Sequence, residues 1–166
     1  MNIVLIGYRG TGKTAAGKIV AEKLGLSLVS LDAEIEKKIG MTISEFVDKN
    51  GWDKFRDVET EVTKEAAAKD NLVIDCGGGI IERPDNIPAL KQNGKVIWFT
   101  AKVETIVNRI KDASHRPSLT GKSFTDEVGE VLERRNPLYE AAADIVIETD
   151  NLTIEQQAEE VLSKIK

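Results

Sequence analysis

The chain has 166 residues, the length of one domain, with 28 acidic against 23 basic side chains and a formal net charge of −5. That balance argues against a general nucleic-acid or membrane-surface binder, and the lone Cys76 excludes an internal disulfide framework and a cysteine-built zinc site. The apolar opening at residues 3–6 is too short for a membrane span and lacks signal-peptide flanks, so one soluble, cytoplasmic domain over residues 1–166 is expected.

In chain order, short apolar runs alternate with helical patterns. Strands are predicted at residues 2–6, 27–31, 72–75, 96–99 and 145–147, each too short for a helix and bounded by turn residues. A helix at 14–24 stops at Gly25 and one at 32–39 stops at Gly40. Thr42-Ile43-Ser44-Glu45 reads as a capping box opening a short helix to Asn50. Further helices are expected at 53–69, 84–92, 103–111, 124–142 (interrupted near Pro137) and 153–166. The alternation predicts an α/β fold of three layers, a five-stranded parallel central sheet flanked by helices, with the strand C-termini along one ligand-binding edge. Residues 112–124, rich in Ser, Thr, Gly and Pro, read as a lid loop.

Six of the 13 glycines fall in two clusters, Gly7, Gly10, Gly12 and Gly77, Gly78, Gly79. Gly7-Tyr8-Arg9-Gly10-Thr11-Gly12-Lys13-Thr14 fits the phosphate-loop pattern G-x-x-x-x-G-K-[ST], placed as it must be between a strand and a helix. Its glycines let successive N–H groups converge on an anion, Lys13 meets the β- and γ-phosphates, and the Thr14 hydroxyl ligates Mg²⁺. This signature alone leaves kinase, GTPase and ATPase motor open.

Other residues bear on the phosphate acceptor. Asp32 at the end of the second strand is either a helix N-cap or a carboxylate that orients and deprotonates a hydroxyl. Arg56 opens a helix, against the first-turn preference for acids, and is either a surface arginine or an anion ligand. Glu59, three residues on, could brace it. Three consecutive glycines are costly to order, so Gly77, Gly78 and Gly79 form either a tight turn or a wall that something approaches closely.

Taken in order, the phosphate loop, Asp32, Phe55-Arg56 with Glu59, the glycine triplet, Arg116-Pro117 and Arg135-Asn136-Pro137-Leu138-Tyr139 resemble the shikimate kinase family of small P-loop kinases. The resemblance implies ATP-dependent phosphorylation of the shikimate 3-hydroxyl, with substrate-binding helices at about 33–62. It implies Asp32 on the substrate hydroxyls as base, Arg56 and Arg135 on the substrate carboxylate, and the glycine triplet lining that pocket. Arg116 would reach the phosphates from the lid, Arg109 would lie against adenine, and Gly10, Thr11, Gly12, Lys13, Thr14 and Ala15 would cradle the phosphates.

One position departs from the family's Asp-x-Asp: the triplet here is Ser30-Leu31-Asp32, so the first carboxylate is missing. Asp75, directly after the third strand's apolar run, is expected to serve the Mg²⁺ shell with Thr14, the alternative being a plain hydrogen bond to Thr14. The expected partners are shikimate and ATP with no nucleic acid and no membrane, on a monomer. Alternatives are a gluconate-type acid kinase of the same fold and a non-catalytic nucleotide-binding module. Arg134 adjoins Arg135 and could exchange roles with it. His115 and Trp98 read as solvated and packing residues, and Trp52 as packing or pocket-lining. Four of the seven arginines map to the proposed site, which predicts a local positive well inside an acidic exterior.

Overall fold

A computed structural model of the protein describes residues 1–110 and 124–166. Five strands, β1 (Asn2–Ile6), β2 (Ser27–Ser30), β3 (Leu72–Asp75), β4 (Gly94–Thr100) and β5 (Ile145–Glu148), form one parallel sheet in the order β2-β3-β1-β4-β5. Among the described residues eight helices surround it: α1 (Lys13–Leu24), α2 (Leu31–Ile39), α3 (Ile43–Asn50), α4 (Trp52–Ala67), α5 (Asn86–Lys91), α6 (Val103–Ile110), α7 (Phe124–Ala142) and α8 (Ile154–Lys164). The expected α/β architecture is present.

β1 is buried at every position, as a central parallel strand covered on both faces must be. Its alternation divides two cores. Val4 and Ile6 face one that includes Leu31 and Ile35 of α2, Phe55 and Val62 of α4, and Val131, Leu132 and Tyr139 of α7. Ile3 and Leu5 face the other, with Ala16 and Val20 of α1 and Ala158 and Val161 of α8. From β1 the chain runs outward to β2 and returns to β3, whereas β4 and β5 lie on the other side. The C-terminal ends of the adjacent strands β1 and β3 are therefore the switch point where doubly wound sheets bind ligands.

Local differences from the sequence expectations have physical reasons. β2 ends at Ser30 because Ser30 caps α2, its hydroxyl accepting the Ala33 N–H at 3.3 Å. Asp32 is thus not the N-cap; it lies in the first turn of α2. The expected cap at Thr42 is present, with Thr42 Oγ1 accepting from Glu45 N at 3.1 Å, but Glu45 Oε1 takes the Thr42 hydroxyl and not its backbone N–H; a reciprocal box forms at Thr153 and Gln156, at the start of α8. α7 runs through Pro137 without the expected interruption. Glu133 and Pro137 are both exposed, so the carbonyl that loses its N–H partner faces water. An unanticipated 3-10 turn, Ile80–Glu82, follows the glycine triplet directly.

Candidate active site

The phosphate loop leaves β1 at Gly7 and enters α1 at Lys13. Gly10 and Gly12 take left-handed backbone conformations (φ 82° and 89°), which side chains other than glycine rarely adopt. Thr11, buried, donates from Oγ1 to the Tyr8 carbonyl at 2.8 Å and fixes the curl from inside. α1 has no side-chain cap, so its first N–H groups and positive dipole end stay available to an anion. Thr14 Oγ1 donates to Asp75 Oδ2 at 2.6 Å, and Asp75 stands in register with Leu5 of β1 and Ser30 of β2.

A cavity of about 390 Å³ opens beside this loop. Its wall gathers Gly10, Gly12, Lys13, Thr14, Ala15, Asp32, Arg56, Asp75, the three consecutive glycines and Arg135, from five separate stretches of chain. Ser30, Trp52, Tyr8, Arg9 and Cys76 complete it. Asp32 is set there by the first turn of α2, Arg56 by the first turns of α4, and Arg135 by the middle of α7.

Neither alternative of a surface arginine or a plain tight turn describes Arg56 and the triplet. Arg56 is buried and pairs through Nη1 with Glu59 Oε1 at 2.8 Å, Glu59 being fully buried one turn along the helix. The guanidinium also lies 5.3 Å from the Trp52 ring centroid and 5.1 Å from that of Phe55, within cation–π range. Trp52 therefore serves as both a packing residue and a cavity wall. None of the three glycines has a positive φ; what each requires is closeness to a charged side chain. A Cβ at Gly77 would meet Asp32 Oδ1 at 2.9 Å, one at Gly78 Arg135 Nη1 at 3.2 Å, and one at Gly79 Arg56 Nη1 and Nη2 at 2.3 Å.

The two neighbouring arginines of α7 separate cleanly. Arg135 is buried on the cavity wall, 5.9 Å from the Tyr8 ring, and its Nε has no hydrogen-bond partner among the described residues. Arg134 is more than half exposed and forks onto Glu82. Arg109 is not on the wall; it donates to the Gly10 carbonyl at 3.2 Å and to Thr149 at Oγ1 and O, tying the phosphate loop to the end of β5. Arg116, His115 and nearly all of the expected lid lie outside the described residues.

Sequence reasoning gave no role to Tyr8, Tyr139 or Glu82. Tyr139 is buried, stacks on Trp98 (centroids 5.7 Å apart) and donates its hydroxyl to the Gly78 carbonyl. Burial pushes its ionisation up to about 12. Burial likewise raises the Cys76 thiol well above its ordinary range, with the neighbouring Asp75 charge acting in the same direction. Burial pushes the Glu82 carboxyl up, yet the Arg134 hydrogen bond and the charges of Arg135 and Arg134 outweigh it and hold Glu82 low.

The chain matches the shikimate kinase family model over residues 9–166. It belongs to the shikimate kinase family. A shikimate kinase from Thermodesulfovibrio yellowstonii is 43% identical over 163 residues, which are 98% of this chain and 94% of that protein. One from Dehalococcoides mccartyi is 39% identical over 165 residues, covering 99% and 93%. Among solved structures, shikimate kinase from Acinetobacter baumannii in complex with shikimate has a TM-score of 0.94 at 36% identity, covering 99% of this chain and 92% of that one. A gluconokinase from Sinorhizobium meliloti shares the fold alone, with a TM-score of 0.65 at 15% identity. This family member is accordingly an enzyme, a kinase of the P-loop class.

Proposed function

We propose that the enzyme transfers the γ-phosphoryl group of ATP to the 3-hydroxyl of shikimate, giving shikimate 3-phosphate and ADP. The observation that carries this reading is the convergence of Asp32, Arg56 and Arg135 with the phosphate loop on one cavity. Two guanidinium groups from different helices can grip one carboxylate with defined orientation, and a point charge such as lysine could not supply the same fork. Gluconate-type acids offer the same carboxylate, so the acceptor panel below includes one.

Asp32 accepts the proton of the acceptor hydroxyl as its oxygen bonds to the γ-phosphorus and the bond from that phosphorus to the bridging oxygen of ADP breaks. Lys13, buried at the head of α1, and the loop N–H groups offset the charge on the transferring group, a task the family resemblance also gives to Arg116, which lies outside the described residues. Gly10, Thr11, Gly12, Thr14 and Ala15 hold the phosphates, and Arg109 lies on the adenine side. The paired Thr14 hydroxyl and Asp75 carboxylate are an all-oxygen donor set, which suits Mg²⁺, a cation that completes its shell with water and substrate phosphates. Thr14 and Asp75 would hold that ion, which supplies charge neutralisation to the phosphates when bound.

Coupled ADP release with Mg-ATP and shikimate, gluconate or quinate tests the assignment. Shikimate-dependent turnover, lost in Asp32→Asn and in Arg135→Ala, is the expected result. Preference for another acid would refute the substrate, and ATP binding without acid-dependent turnover would refute the reaction. A cytoplasmic monomer fits the buried lone cysteine and the scattered exposed apolar residues Leu24, Leu138 and Val146. Among the described residues no helix is long and apolar enough to cross a membrane.

A further inference from the structure

Glu82 closes the 3-10 turn that follows the glycine triplet, and it joins that turn to α7 from outside the cavity wall. Both oxygens of its carboxylate accept from the exposed Arg134, with Nη2 2.9 Å from Oε2. The same Oε2 accepts from Arg135 Nη2 at 3.3 Å. Glu82 is mostly buried and Arg135 almost wholly so. The remaining Arg135 terminus, Nη1, sits where a Cβ on Gly78 would come within 3.2 Å, and the guanidinium lies over Tyr8. One turn further along α7, Tyr139 binds the Gly78 carbonyl, so α7 fastens to residues 78–82 at two points.

A long arginine side chain carries rotamer entropy that must be lost before its fork can meet a carboxylate at a fixed place. Arg56 loses that freedom against Glu59. Arg135 has no acid one turn away on its own helix that is seen to hold it, and the acid on it comes from 53 residues earlier in the chain. Arg134 spans both oxygens of the same carboxylate, sharing Oε2 with Arg135, and so keeps Glu82 turned toward α7.

We propose that Glu82 is a positioning residue that presets the Arg135 guanidinium for the acceptor's carboxylate, with Arg134 as its outer anchor. The role rests on the functional reading above, in which Arg135 binds that carboxylate. It acts on binding of the acid: Glu82 lies off the cavity wall that carries the phosphate loop and Asp32, so nucleotide affinity and the transfer step do not depend on it.

The test compares wild type, Glu82→Ala, Glu82→Gln and Arg134→Ala, with steady-state kinetics in both substrates and calorimetric titration of shikimate onto each protein. Thermal unfolding confirms that each variant is folded. Glu82→Ala is expected to raise KM and Kd for the acid about tenfold, the scale of one charge-assisted hydrogen bond, with kcat and the ATP KM within about twofold of wild type. Glu82→Gln keeps an oxygen acceptor and is expected to recover most of that loss, and Arg134→Ala to lose about threefold. An unchanged or tighter acid Kd in Glu82→Ala would overturn the proposal, as would equal losses toward ATP or the absence of rescue by Glu82→Gln. Wild-type turnover tests the functional reading separately. If shikimate binds without turnover, the ratio of Kd values still decides the role of Glu82; if shikimate does not bind, both readings fall.

Discussion

Gly79→Ala probes the acceptor side of the site with a single methyl group. Gly79 has φ −90° and ψ 16°, a conformation alanine tolerates, so the substitution adds no appreciable backbone strain. The effect must come through Arg56, whose Nη1 and Nη2 both lie 2.3 Å from where the Cβ would stand. Non-bonded heavy atoms rest at about 3.5 Å or more, so the guanidinium has to retreat by roughly 1 Å. It cannot do so freely: Glu59 holds Nη1 at 2.8 Å, and the Trp52 and Phe55 rings lie at 5.3 and 5.1 Å. Losing or distorting one charge-assisted contact to the acid is worth about 1.5–3 kcal/mol, a rise in acceptor KM of roughly 10- to 100-fold. The ATP KM should stay near wild type, and kcat should fall less than KM rises. Gly78→Ala is the internal control. Its Cβ would stand 3.2 Å from Arg135 Nη1, a few tenths of an ångström inside normal contact, and a rise below about fivefold is expected. Steady-state assays on both variants, varying acid and ATP separately, give the answer. An acceptor KM unchanged in Gly79→Ala, or a larger loss in Gly78→Ala, would refute the claim that the triplet is glycine because arginines press on it.

The buried Arg56–Glu59 pair makes a stability prediction. Arg56→Met removes the cation from a fully buried carboxylate and should cost about 3–5 kcal/mol in urea unfolding. Adding Glu59→Gln should recover most of that stability without restoring activity, and a double variant no more stable than the single would contradict the pairing argument. Asp75→Asn should raise the Mg²⁺ concentration for half-maximal activity, because Thr14 then faces a neutral amide; an unchanged requirement would leave Asp75 as a hydrogen-bond acceptor only. Ser30→Asp retains a good helix cap and places a carboxylate on the cavity wall, so it should lower that concentration, whereas Ser30→Ala should cost about 1 kcal/mol of stability. Tyr139 predicts the alkaline limit. Its ionisation moves from 10.0 to about 12 on folding, so between those values the unfolded chain has released a proton that the native state still holds. Stability contributed by the neutral phenol is therefore complete below pH 10 and lost as pH rises toward 12, roughly 3 kcal/mol in all. Tyr139→Phe should flatten that decline relative to wild type, and parallel curves would refute the assignment.

The phosphate loop was fully legible because its chemistry is written in contiguous residues: the left-handed glycines, Lys13 and Thr14 lie within eight positions. The five strands were legible too, since each apolar run is short and flanked by breakers, and a strand buried on both faces carries an unbroken apolar signal. Helix ends were less so. Ser30 could be read as the remnant of an Asp-x-Asp pair but not as the cap of α2, because capping depends on the ψ of that one residue. Pro137 signalled a break that did not occur, since the lost bond faces water on a helix held by its neighbours. Glu59 was visible as a brace for Arg56 because three residues on a helix is local information. Glu82 was not, because its arginines lie 52 and 53 positions away and nothing in its own neighbourhood marks it.

Of the four arginines expected to make a positive well, Arg56 and Arg135 line the cavity, and their effect there comes from orientation more than from excess charge. The cavity wall carries Arg9, Lys13, Arg56 and Arg135 against Asp32 and Asp75. Glu59 and Glu82, which hold two of those arginines from behind, are not on the wall, and with them and the Arg134 that anchors Glu82 counted, five cations meet four carboxylates. The acids serve two purposes there. They lower the cost of holding guanidinium groups in a largely buried setting, and they fix the direction in which each fork points. A buried arginine with no carboxylate behind it would be costly and mobile, whereas one with a carboxylate in front would be blocked. Placing Glu59 one helical turn along α4 and Glu82 on the turn after the triplet avoids both. A protein of net charge −5 can in this way present inward-facing cations to two anionic ligands without a basic surface.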